Sequence, residues 1–171
     1  MKKILFLALS MSLLFTSCGS LRLTPEEKKA IAAQVAQAVN TREMTIDITG
    51  IANGPSNTLS VNKEYSIQLD GKHITTYLPF FGKARSGGIS ELLGEASVVL
   101  THAEVFNFGV DRSNYEQKSE YFLAFQVYDD THTLYTFNIT LFDNGEADII
   151  LAIRNKTSMR YYGVLSFETG K

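Results

Sequence analysis

Three histidines, His73, His102 and His132, are the side chains of this 171-residue chain best suited to acid–base or metal chemistry near neutral pH. No two have the spacing that places imidazoles on one helix or strand face, so they predict no zinc centre. His102 and Glu104, two apart on an expected strand, point the same way, and a solvated strand face accounts for them. Asp129-Asp130-Thr131-His132 is acidic enough for a cation, yet it joins two alternating segments, 123–127 and 135–141, and reads as a hairpin turn. Gly82-Lys83-Ala84-Arg85-Ser86-Gly87-Gly88 is glycine-rich but in the wrong order for a phosphate loop, which needs Lys and then Ser or Thr after its last glycine. Lys83 and Arg85 remain candidates for holding an anion. No Gly-x-Ser-x-Gly elbow frames a serine nucleophile. These residues predict no catalytic group, no metal and no cofactor. They favour a non-catalytic protein over an enzyme, with a hydrolase site assembled from dispersed residues as the alternative.

The remaining reactive group is Cys18, the only cysteine, which rules out an intramolecular disulfide and any cysteine-based metal cluster. Its surroundings define its chemistry. Lys2-Lys3 is a basic start, and the apolar run from Ile4 to Phe15 is broken only by Ser10 and Ser12. That run falls short of the roughly 20 residues a spanning helix needs and ends at Thr16-Ser17-Cys18-Gly19. Residues 1–17 therefore read as a cleaved export signal. Phe15-Thr16-Ser17-Cys18 resembles the lipobox of bacterial lipoproteins, which implies acyl chains such as palmitate on Cys18 and a membrane as partner. Each buried methylene adds about 0.8 kcal/mol, so several chains on one thiol anchor stably.

Cleavage takes two of the 16 basic residues, leaving 14 against 18 acidic ones and a net charge of −4. With no Lys/Arg run longer than a pair, nucleic acid is excluded as a partner. Residues 18–23 form a lipidated tether. The five after Cys18 reach less than roughly 20 Å, so the domain that follows, 24–171, sits close to the bilayer.

That domain opens with Thr24-Pro25-Glu26-Glu27: a capping threonine, a proline suited to the first turn, and a glutamate that completes a capping box. Ile31, Val35 and Val39 recur every four residues, predicting an amphipathic helix over 24–40 that lies on a sheet and stops at Asn40. From Thr45 the period becomes two, most clearly in Tyr135, Phe137, Ile139 and Leu141. Around Asp143-Asn144-Gly145, a three-residue loop pairs Leu141 with Ala147 and Ile139 with Ile149, so every apolar residue meets another; a two-residue turn would put the apolar sets on opposite faces. A type I turn with Gly145 left-handed is predicted. At 65–74 the same test predicts a two-residue Asp70-Gly71 turn with Ile67 opposite Ile74. Further strands are expected at 45–50, 96–101, 103–110, 120–128 and 158–167, and 52–57 as a loop. The fold class is mainly β (α+β): an N-terminal helix packed on an antiparallel meander of about nine strands, curled into a barrel or two-layer sandwich.

Tyr77-Leu78-Pro79-Phe80-Phe81-Gly82-Lys83-Ala84, Gly87-Gly88-Ile89-Ser90, Asn144-Gly145-Glu146-Ala147 and Arg160-Tyr161-Tyr162-Gly163 together resemble the domain of unknown function 4251 of Bacteroidales envelope lipoproteins. The sequence departs from that pattern after Ser90, where Glu91 to Glu95 replaces a shorter turn. The resemblance implies a lipoprotein with a strand-rich fold and no assigned activity. Physically, Pro79 ends ladder pairing, and the bend at Gly82 presents Phe80 and Phe81 either as a cap on the core or as an aromatic lip. Alternation places Tyr161 inward and Tyr162, beside Arg160, outward. The candidate binding residues are thus Tyr77, Phe80, Phe81, Lys83, Arg85 and Tyr162. The expected protein is an envelope lipoprotein, on the periplasmic face of the outer membrane because Gly19 to Leu23 lack acidic sorting signals. It would act as a binding module for an envelope protein, glycan or apolar ligand, or as a structural subunit pairing through a sheet edge.

Overall fold

The computed structural model describes residues 23–52, 57–61, 64–80, 97–156 and 158–167. Cys18, the leader, Phe81, Lys83, Arg85 and most of the 52–57 loop lie outside the described residues. Helix α1 spans Pro25–Thr41, and its capping box forms as the sequence requires: the Glu27 amide donates to Thr24 Oγ1 (3.2 Å) and the Thr24 amide to Glu27 Oε2 (2.7 Å). The stop is Arg42 rather than Asn40. Arg42 takes a left-handed cap (φ 59°), its amide donates to the Ala38 carbonyl, and its guanidinium lies 4.3 Å from the Phe108 ring centroid. That side-chain contact offsets the cost of positive φ at a residue with a Cβ. Val35 and Val39 are buried, while residues 23–30 are exposed, so only the C-terminal half of α1 packs on the strands.

Nine strands follow: β1 Glu43–Ala52, β2 Thr58–Ser60, β3 Ser66–Asp70, β4 His73–Pro79, β5 Ser97–Asp111, β6 Glu120–Tyr128, β7 Leu134–Phe142, β8 Glu146–Ile153 and β9 Met159–Ser166. A short helix α2, Tyr115–Lys118, links β5 to β6. Strands β1, β3 and β4 to β9 form an eight-stranded antiparallel ring that closes where β1 pairs with β9, and β2 extends the same edge of β1 beyond β3. The architecture is a barrel, not a sandwich.

The hairpin at 143–145 has the predicted register, with Leu141 opposite Ala147, Phe137 opposite Leu151 and Gly145 at φ 85°. The hairpin at 70–73 does not. Its turn is Gly71-Lys72, with Asp70 opposite His73 and Ile67 opposite Thr76. Both registers keep Ile67, Leu69 and Ile74 on the inner face, so hydrophobic pattern could not separate them. Gly71 at φ 59° in the first central position decides, as in a type II′ turn. The strands expected at 96–101 and 103–110 are one 15-residue strand, β5, carrying two bulges. Each bulge resets the inward phase: Val98 and Leu100 face in, then Ala103 and Val105, then Phe108 and Val110. The sequence shows that phase change as a break. Strand β2 was not expected at all, because three residues carry no usable period.

Side chains fill the ring. Phe108, Phe125 and Phe137 stack in series, with centroids 5.8 and 5.0 Å apart, and Ile46, Ile139, Leu141 and Tyr161 are at most 2% exposed. Each fully buried Ile, Leu or Phe contributes about 1.5–3 kcal/mol. Outward-facing Thr136, Asn138 and Thr140 on β7 give the wall hydroxyl and carboxamide groups, the reverse of a lipid-facing barrel strand. No described helix is long and apolar enough to cross a membrane.

Candidate functional site

The barrel end away from α1 carries the aromatic segment singled out by the sequence. Strand β4 ends at Pro79, whose carbonyl accepts a 2.8 Å hydrogen bond from the buried Tyr161 hydroxyl. Burial pushes the Tyr161 phenol well above its ordinary range, so it stays a neutral donor. This bond pins the strand exit to β9, which is what a ladder interrupted by proline needs. Phe80, the next residue, packs against the core with the Lys156 ammonium 5.6 Å from its ring centroid. Phe80 therefore caps the core, while Tyr77 points out through the wall and stacks on Tyr65 at 5.1 Å.

Beside Tyr77, in direct cross-strand register, lies Val99. Tyr77 is 43% exposed and Val99 57% exposed. Of the seven large apolar side chains exposed among the described residues, these two are the single couple paired with each other in register; Phe122, Ile150 and Val164 are paired with polar or charged residues, and Tyr128 with the half-buried Leu134. Together with Tyr65 they make an apolar, aromatic strip on the outer face of β4 and β5.

Tyr162, the other outward candidate, lies elsewhere on the wall, on β9. Arg160 forms a two-pronged ion pair with Asp148 on β8 and holds its guanidinium 5.4 Å from the Tyr162 ring centroid. The Asp148 carboxylate raises the Arg160 pKa further above neutrality, so the spot is a compensated surface cluster. The acidic run at 129–132 is a turn, as expected. Asp129 Oδ1 accepts from the amides of Thr131 (2.9 Å) and Thr133 (2.8 Å), and Oδ2 accepts from the Tyr135 hydroxyl (3.0 Å). Partial burial raises the Asp129 pKa, but the hydrogen bonds outweigh it and the carboxyl is held below its ordinary range. Burial first and Asp129 second push Tyr135 up to about 12.

The 26–165 segment matches the family model described as a domain of unknown function, DUF4251. The chain belongs to the DUF4251 family. No curated protein matches it. Among solved structures it is similar to a DUF4251 family protein from Bacteroides eggerthii DSM 20697, with a TM-score of 0.63 and 12% identity over 80% of this chain and 87% of that one. At that identity the likeness establishes the DUF4251 fold and no more.

Two features of this DUF4251 barrel escaped the sequence reading. One is a groove of about 470 Å³ between α1 and the starts and ends of β1, β3 and β9, lined by Gln34, Gln37, Glu43, Gln68, Asp70 and Phe167. Its residues are scattered over four elements, so no motif announces it. The other concerns the histidines, which the sequence spacing kept apart. Antiparallel pairing of β4 with β5 brings His73 and His102 into a stack, with ring centroids 3.9 Å apart and an interplanar angle of 14°. His132 stays in the β6–β7 turn.

Proposed function

We propose that this chain is a lipid-anchored envelope protein whose barrel is a non-catalytic docking module, engaging an envelope protein partner through the Tyr65–Tyr77–Val99 strip. One observation carries the reading: among the large apolar side chains exposed on the described wall, Tyr77 and Val99 are the pair set directly opposite each other in cross-strand register. Aromatic side chains of this kind are rich in interface energy because they bury much area at a low cost in lost freedom. The anchoring half of the reading rests on the leader and Cys18. Barrel closure weighs against the edge-pairing alternative, since the eight ring strands pair with one another and the edge strand left among the described residues is the three-residue β2.

A photo-crosslinking residue placed at position 77 tests this in intact envelopes, against the same residue at Ile150, which is equally exposed at 43% but lies on β8 across the ring. A discrete adduct at 77 that is missing at 150 supports docking on the strip. The same pattern at both positions, or none at 77, overturns it.

The groove favours a second reading, an envelope glycan held beside α1. Carboxamides and carboxylates above a floor of Met44, Leu69 and Leu165, with Phe167 at one side, suit hydroxyl-rich ligands. Saccharide titration monitored at the Gln34 and Gln37 side-chain amides by NMR separates the two. Shifts confined to those amides support the glycan, and unchanged spectra dismiss it.

A further inference from the structure

The His73–His102 stack depends on a backbone irregularity. Val98 and Leu100 face the core, and strict alternation along β5 would send His102 inward after them. It does not go inward, because Thr101 and His102 together oppose the single residue Thr75: Ile74 pairs with Ala103 and Thr76 with Leu100. His102 sits in this bulge at φ 49°, with its amide donating to Thr75 Oγ1 at 3.2 Å. The bulge turns the imidazole out of the barrel and onto His73. A left-handed backbone is unfavourable for any residue with a Cβ, and bulges that re-aim a side chain are over-represented beside functional sites.

The neighbours are chemically apt. His73 has Asp70 as its register partner on β3 and Glu104 as its partner on β5, so carboxylates flank the imidazoles on both sides. All four residues are solvent-accessible. Imidazole nitrogens with carboxylate and water oxygens are the donor set that zinc, nickel and copper(II) prefer. No group of three such ligands converges among the described residues, so the rings supply the first two bonds and water supplies the others, with the carboxylates adding negative charge nearby. The second side-chain torsion of histidine is soft, which lets two stacked rings each turn a nitrogen edge toward a shared ion.

We propose that His73 and His102 form a surface site for a borderline divalent transition cation, with zinc as the probe. The site does not depend on the docking strip. The test is calorimetric titration of zinc into the full chain carrying Cys18→Ala, which removes the one thiol that would compete, with histidine ring signals followed by NMR. One saturable equivalent is expected, shifting the rings of His73 and His102 and leaving that of His132 in place. His102→Asn keeps a residue tolerant of left-handed backbone, and His73→Gln leaves the bulge untouched. Each should weaken binding by about tenfold or more, while His132→Asn should leave it unchanged. Absence of saturable binding, parental affinity in His102→Asn, or an equal loss in His132→Asn would each overturn the proposal.

Discussion

At the scale of single residues, two side chains are worth testing for what they hold in place. Asp129 gathers two backbone amides, the Thr131 hydroxyl at 2.7 Å and the Tyr135 hydroxyl, and so organises the β6–β7 turn. Its folded-state pKa is depressed, so its stabilising contribution is present above the ordinary carboxylate value of about 3.9 and fades as pH falls through the lower folded value. Asp129→Ala should therefore lower stability by about 1–2 kcal/mol at pH 7. The difference from the parent should narrow steadily below about pH 4, where the parent loses the same contribution. Urea unfolding at a series of pH values measures both; a gap that stayed constant down to pH 2 would contradict the assignment. Phe137, wholly buried between Phe125 and its other neighbours, is a case of plain packing, and Phe137→Ala should cost about 3–5 kcal/mol in the same assay.

At the scale of elements, the seam that closes the ring is a close backbone contact. At Gly163 on β9, an added Cβ would stand 2.7 Å from Ile46 Cγ2 and 2.8 Å from the Asp47 carbonyl oxygen on β1. Backbone cannot yield cheaply, so Gly163→Ala should destabilise by about 1–3 kcal/mol, read as a lowered denaturation midpoint with an unchanged slope. A neutral result would mean that β1 and β9 lie farther apart than described. This seam also marks where sequence reading stops. The capping box of α1 and the 143–145 register were legible because local chemistry left one arrangement that paired every apolar residue. The 70–73 register was not, since two arrangements bury the same Ile67, Leu69 and Ile74. Bulges hid the unity of β5, and the His73–His102 contact lay behind one of them. The pairing of Ile46 with Leu165 spans most of the chain, and no local pattern encodes it. Of the candidate site, Tyr77 was named from its motif, but its partner Val99 is visible once β4 and β5 are in register.

At the scale of the whole molecule, the question is how a barrel is held and which end it presents. Helix α1 binds through Val35 and Val39, and its end is buttressed by Arg112, which donates to Asn40 Oδ1 (2.6 Å) and lies near the Tyr121 ring. Its exposed first turns, 25–30, lead back toward the tether and Cys18. Five tether residues and roughly two turns of free helix are too short to let the barrel roam, so the end bearing α1 would face the bilayer and the Tyr77–Val99 strip would sit farther out. Under the proposed anchoring, a lipid on Cys18 would hold the chain at the membrane, and the outer face of β7, with Thr136, Asn138 and Thr140, is not a lipid-facing strand. Cys18→Ala should therefore move the chain from the membrane to the soluble fraction while leaving its thermal midpoint unchanged, since the described core residues run from Val35 to Leu165. Envelope fractionation alongside a melting curve reads both quantities. Membrane retention of the variant with an intact fold would show that the barrel wall itself adheres to lipid, and would reassign Tyr77 and Val99 from a protein partner to the bilayer.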